Sequence, residues 1–151
     1  MIVRYQIASD AYTTYRLHEP DGEPRCTELC TLADGYTYVA VPDGVTLPTD
    51  QPAEIADSIE TVTLTAELRA LIKAASPHAQ LIAQRVIDRI RERYSVDDEL
   101  FFARIMIGSQ AGLYTLEPGE MAEVEAFKTW VEDAREWGRE QRAALGLQEA
   151  T

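Results

Sequence analysis

Thr65-Ala66-Glu67-Leu68-Arg69-Ala70-Leu71-Ile72-Lys73-Ala74-Ala75-Ser76 is the stretch at which the period of this chain changes. Leu68, Leu71, Ile72 and Ala75 fall at i, i+3, i+4 and i+7, which sets them on one stripe of a helix. Upstream of Thr65 the apolar residues alternate or give way to prolines. Downstream they recur at threes and fours. The change predicts an α+β chain in two parts: an acidic β-rich domain over 1–64 and a helical domain over 65–151.

Working back from Thr65, Ser58 to Leu64 reads as an extended approach to the helix or a further edge strand. Pro42 to Ala56 carries Pro42, Pro48 and Pro52 with Asp43-Gly44. These remove ladder donors and fix extended backbone, so 42–56 reads as a Pro-rich connector. Tyr36 to Val41 and Arg25 to Leu32 flank Asp34-Gly35, a hairpin pair in the place of a primed turn. Strict alternation over 25–32 puts Cys26, Glu28, Cys30 and Leu32 on one face. Pro20-Asp21-Gly22 is a turn, and Thr13 to Leu17 is a candidate strand. Val3, Tyr5 and Ile7 alternate with Arg4 and Gln6, which is strand period. Together these predict a small N-terminal antiparallel β-meander of three or four strands.

Working forward, the first helix should stop at Ser76-Pro77, because the residue before proline disfavours helical backbone. Ser76 can then cap a second helix with Pro77 at its first position. The stripe of that helix is Ala83, Val86, Ile87, Ile90 and Tyr94. Arg85, Arg89 and Arg93 recur on a neighbouring face beside Asp88 and Glu92, either as a solvated salt-bridged face or as a basic strip for an acidic partner. Ser95 with Asp98 three residues on forms a capping-box pattern. It opens a helix over 96–107 that is apolar nearly all round after Glu99, ending at Gly108 and Gly112. Such a helix is buried on all sides or buries one side against another chain. A last, long amphipathic helix follows Pro118-Gly119, with Val124, Phe127, Val131 and Ala134 as its stripe and Gly146 as its cap. Glu120, Glu123 and Glu125 lie early and Arg135, Arg139 and Arg142 late, as the helix dipole favours. Roughly 26 helical residues would extend about 40 Å, a length that suggests a partner or a self-partner for part of the stripe. The helical region thus holds four helices.

The 151 residues carry 14 Lys and Arg against 26 Asp and Glu, a formal net charge of −12. Residues 1–64 hold three basic and eleven acidic groups, a net of −8, and the remainder holds −4. This balance argues against nucleic-acid binding, which relies on Lys and Arg at phosphates, and against anionic lipid. Net charge of this kind keeps a protein soluble, or presents an acidic surface to a basic partner. No apolar run reaches the roughly 20 residues of a membrane span. The start Met1-Ile2-Val3-Arg4-Tyr5-Gln6 has no basic segment followed by an apolar one, so no secretory signal is expected and the cytoplasm is the default location.

Catalytic patterns are absent: no Gly-x-Ser-x-Gly, no phosphate loop, no Gly-x-Gly-x-x-Gly. Cys26 and Cys30, if on one strand, lie roughly 13 Å apart at about 3.3 Å per residue, too far for a disulfide. With only His18 and His78 to add, they make a poor metal site. Asp97, Asp98 and Glu99 point in different directions on a helix and are accounted for by its N-terminus. The expectation is a protein that is not an enzyme, with no catalytic residues, no cofactor and no metal. Trp130 and Trp137 lie two helical turns apart and share a face, which is either a core or domain-docking stripe or a protein-binding face.

Three stretches of the helical half are similar to small proteins of bacteriophage and prophage tail gene clusters. Tyr94-Ser95-Val96-Asp97-Asp98-Glu99 resembles the start of their penultimate helix. Phe127 to Trp137, with Trp130-Val131-Glu132-Asp133-Ala134-Arg135-Glu136-Trp137, resembles their final aromatic helix, and Gly138 to Leu147 resembles their closing segment. The likeness covers roughly the last 60 residues. It implies a non-enzymatic accessory protein of tail or tail-fibre assembly, chaperone-like, binding a phage tail or tail-fibre protein in the host cytoplasm, or a structural component carried in the virion tail. Phe101, Phe102, Phe127, Trp130, Val131 and Trp137 are the expected partner-binding residues, and a homodimer is a further expectation. The rival reading from charge is an acidic phage inhibitor that mimics nucleic acid.

Overall fold

A computed structural model describes residues 1–22 and 24–148. The first elements in chain order are β1 (Ile2–Gln6), β2 (Ala8–Ser9), β3 (Thr14–Tyr15), β4 (Thr27–Thr31), β5 (Tyr36–Ala40), α1 (Ala53–Ala56), β6 (Glu60–Val62) and α2 (Ala66–Ala75). They are followed by α3 (Pro77–Arg91), α4 (Val96–Gln110) and α5 (Pro118–Ala144). The fold is α+β: an N-terminal antiparallel sheet, then helices ending in one of 27 residues. No helix among the described residues is long and apolar enough to cross a membrane.

The main sheet has the order β4-β5-β1-β6, and β2 pairs with β3 separately. A plain meander would leave the first strand at an edge. Here β1 lies inside, paired with β5 through Ile2↔Ala40 and Tyr5↔Thr37 and with β6 through Ile2↔Val62. The reason is in its side chains. Ile2 is buried on one face and Val3 and Tyr5 on the other, and a strand apolar on both faces needs cover on both. Val3, Tyr5 and Ile7 do share one face, as alternation predicts.

Ile2, Leu29, Tyr38 and Ala40 pack with Ile72 of α2, Ala79 of α3 and Leu147 beyond α5. The opposite face buries Val3, Tyr5, Cys26, Val39, Val41 and Ile55, with Val45, Leu47 and Ile59 against them. Residues 45–59 belong to the Pro-rich segment and its continuation, so that segment is packed onto the sheet and contains α1. The Cys26–Leu32 alternation fails at a β-bulge between Glu28 and Cys30. The extra residue, Leu29, turns inward and is 1 % exposed. Cys26 then packs on one face of the sheet and Cys30 on the other, both as free thiols. The Asp34-Gly35 hairpin forms, but not with a primed turn. Only glycines take positive φ among the described residues, Gly35 at 80°. The loop is Ala33-Asp34-Gly35, closed by Leu32 N–H donating to the Tyr36 carbonyl at 3.0 Å.

Thr65 caps α2 by accepting from Leu68 N–H at 3.1 Å. The stripe is narrower than its spacing suggests: Ile72 is fully buried and Leu68 partly, whereas Leu71 is 58 % exposed. Ser76 is buried and extended at the junction, and α3 starts at Pro77. After α5, Gly146 at φ 67° lets its N–H reach the Ala143 carbonyl and Leu147 N–H reach the Arg142 carbonyl, both at 2.8 Å. This closing turn delivers Leu147 to the core.

The chain divides into two compact units, Met1–Ile82 with the C-terminal stretch from Glu140, and Ala83–Arg139. A boundary at 64/65 is therefore not the one the packing follows. Ile72, Ala79 and Leu147 belong with the sheet because their apolar surface is buried there. The second unit holds the rest of α3, all of α4 and α5 up to Arg139.

Candidate functional site

In the second unit the two tryptophans of α5 meet the arginine ladder of α3. The Trp130 indole N–H donates to the Arg89 carbonyl at 2.9 Å. That carbonyl lies in the last turn of α3, where Arg93 N–H, its α-helical partner, donates instead to Ile90. Trp130 thus serves a carbonyl that the end of the helix leaves open. The Arg89 guanidinium stacks 4.8 Å from the Trp137 ring centre, and that of Arg93 lies 5.5 Å from Trp130 and 5.2 Å from Tyr94. These are cation–π distances. Arg89 and Arg93 are thus engaged with aromatic faces, and the faces of both tryptophans are in part occupied.

Beside this lattice lies the core of the unit. Phe102, Ile105 and Val124 are buried, with Tyr94, Met106 and Phe127 packed against them. Tyr94 stands edge-on to Phe127 at 5.1 Å and to Phe102 at 6.0 Å. Val131 is half-buried. Of the six expected contact residues, Phe102 and Phe127 belong to this core, and Trp130 and Trp137 are half-buried with arginines upon them. Phe101 is the one that stands open, at 45 % exposure.

Most of the large exposed apolar side chains of this unit are on α4 and the turn that follows it, with Ile87 of α3 and Met121 of α5 exposed as well. Ser95 and Asp98 form the expected capping box, Ser95 Oγ accepting from Asp98 N–H at 3.1 Å. The helix does not stop at Gly108 but runs to Gln110 and closes after Gly112, whose φ is 70°. Gly108 has a different use. Leu113 and Tyr114 N–H both donate to its carbonyl, and a Cβ there would stand 3.1 Å from the Tyr114 Cβ. Phe101 precedes Gly108 by seven residues and so lies on the same side of α4. Phe101 on this side of α4, and Tyr114 at 39 % and Leu113 at 85 % exposure in the turn that follows, are open apolar side chains. Around the helix, Val96, Leu100 and Ile107 are exposed at 53 %, 49 % and 66 %. Composition flagged α4 as apolar all round; which side stays open depends on where α5 packs.

In the first unit an open cleft of about 640 Å³ is lined by Tyr15, Arg16, His18, Asp50, Gln51 and Glu54 among others. His18 Nδ1 lies 3.0 Å from the Asp50 carbonyl, which can only accept, so Nδ1 carries the hydrogen. Gln51 brackets the same residue, accepting from His18 N–H at 2.8 Å and donating to its carbonyl at 3.1 Å. Asp10 is engaged in the β2–β3 turn, where Tyr12 N–H, the Tyr15 hydroxyl and Thr13 N–H hold its carboxyl below the usual range. These contacts tie loops together and pair no nucleophile with a base. Among the described residues no cluster of His, Cys, Asp and Glu could hold a metal ion.

No family model, no curated protein and no solved structure matches the chain.

Proposed function

We propose that the protein is a non-enzymatic accessory protein of bacteriophage tail or tail-fibre assembly, which holds another tail protein through its helical half. The observation that carries the reading is the exposure of Phe101 on α4 and of Leu113 and Tyr114 in the turn after it, in the unit whose aromatic core holds Phe102 and Phe127. Several large exposed apolar side chains on one helix and its following turn suit a protein contact, and an aromatic anchor flanked by half-buried neighbours is the usual centre of one. The tail-cluster resemblance of 94–99, 127–137 and 138–147 supports the class of partner. Chaperone-like holding in the host cytoplasm fits a contact that forms and is released; a component that remains in the virion tail is the structural variant.

Co-expression with the adjacent tail or tail-fibre gene tests this. The fibre protein should be recovered soluble with the chain and fall several-fold in the soluble fraction without it. Phe101→Asp should reproduce the loss. Unchanged fibre solubility and assembly without the chain would overturn the chaperone reading, and finding the chain in purified particles would favour the structural variant.

A further inference from the structure

Val96, Leu100, Ala103 and Ile107 are spaced four, three and four apart, the spacing of a coiled-coil seam. At 100° per residue they fall within an arc of about 60° on α4. All four are exposed, Ile107 at 66 % and Val96 at 53 %. The seam lies apart from the side that carries Phe101 and Gly108. Its flanks are polar and unequal. On one flank Glu99 is held by Arg91 at 2.9 Å. On the other are Asp97 and Arg104, both exposed, seven residues apart, and in no ion pair among the described residues.

We propose that this seam is the contact between two copies of the chain, with their α4 helices antiparallel about a two-fold axis between Leu100 and Ala103. The charges decide the occupant. That axis sets Leu100 against the partner's Ala103 and Val96 against the partner's Ile107. It also brings Asp97 to within about two residues, roughly 3 Å along the axis, of level with the partner's Arg104. The relation is reciprocal, as an isologous contact demands, so one flank supplies two ion pairs from a single acidic and a single basic residue. A parallel pairing would instead set this flank against the partner's other flank, where the carboxylate of Glu99 is already held by Arg91. The seam spans 11 residue steps, about 17 Å, which places the contact in the small, concentration-dependent class.

Sedimentation equilibrium of the full chain at about 0.15 M salt tests the proposal. The mass should rise from 16.9 kDa to twice that value, with half-dimerisation between about 10 and 100 µM, the range of a small contact. Leu100→Glu should remain monomeric throughout. Asp97→Arg and Arg104→Glu should each weaken association by about tenfold, since each turns two attractions into two repulsions. Mixing the two variants should restore it. In the mixed dimer the introduced arginine of one copy faces the introduced glutamate of the other, and the unaltered Arg104 faces the unaltered Asp97. Asp97→Arg also lowers the net negative charge, so general repulsion would predict the opposite sign. A constant mass of 16.9 kDa up to about 500 µM would overturn the dimer, and failure of the mixture to recover would overturn its antiparallel geometry. Phe101→Asp lies off the seam and should leave the mass unchanged, so loss of tail-protein binding and loss of self-association are read separately.

Discussion

The indole nitrogen of Trp130 donates to the backbone carbonyl of Arg89, 41 residues earlier, at 2.9 Å. The bond joins two features that look independent in the chain, an arginine repeat on α3 and a tryptophan pair on α5. It closes the end of α3 where the α-helical ladder gives way to a tighter turn. It also holds the indole where Arg93 can stack on it.

Trp130→Phe removes the donor and the five-membered part of the indole but leaves an aromatic ring for Arg93. The expected cost is about 0.5–1 kcal/mol, the lower range for a hydrogen bond at a water-accessible carbonyl. Trp130→Ala also removes the ring and should cost about 2 kcal/mol or more. Urea melts of the two variants measure the difference. Equal effects would mean that the ring contributes nothing beyond the N–H, and a Trp130→Phe variant as stable as the wild type would mean that the N–H contributes nothing.

Phe101 and Phe102 are neighbours with opposite fates. Phe102 is 7 % exposed in a core with Ile105 and Val124, whereas Phe101 is 45 % exposed. Phe102→Ala should destabilise by about 3–5 kcal/mol, and Phe101→Ala should stay within about 0.5 kcal/mol of the wild type. Thermal melts compare them directly. A large loss at Phe101 would show that its side chain is needed for folding, and so is not a free contact surface.

What could be read in advance from the chain follows the range of the interaction. Ser76-Pro77, the Ser95–Asp98 box and Gly146 act within a turn of helix, and their local chemistry is written in adjacent residues. The inward turn of Leu29 is different, because a β-bulge is set by the strand opposite and not by the alternation of Cys26 to Leu32. Leu71 sits on the apolar stripe of α2 yet remains exposed, because only Leu68 and Ile72 face the sheet. Phe101, Phe102 and Ile107 are alike in composition, and only the position of α5 separates buried from open. The Trp–Arg contacts span about 40 residues of chain, beyond the reach of any periodicity.

The Asp98 carboxylate accepts from the Ser95 hydroxyl and the Ser95 N–H, each at 2.7 Å, and these bonds hold its pKa below the ordinary value of 3.8. A carboxylate with a depressed folded-state pKa stabilises the fold above its unfolded value and loses that contribution as pH falls through the folded one. The melting-temperature gap between the wild type and Asp98→Ala should therefore be constant from pH 7 to about 5. It should narrow below 3.8. A gap that does not change down to about pH 2 would show that the carboxylate charge plays no part in the cap.

Gly146 carries two requirements at once. Its φ of 67° is in the left-handed region, and a Cβ would stand 3.3 Å from Ile2 Cδ1. Its conformation turns the chain so that Leu147, fully buried, reaches Ile2, Leu29 and Tyr38 under the sheet. Gly146→Ala should cost about 1–2 kcal/mol from the backbone alone. Leu147→Ala should cost about 2–5 kcal/mol through the cavity it leaves. Because one residue positions the other, the two effects should not add. The double variant should lose less than the sum by about 0.5 kcal/mol or more, the coupling expected of residues in one motif. A double-mutant cycle in urea gives the coupling directly, and strict additivity would mean that Leu147 finds its place in the core without the turn at Gly146.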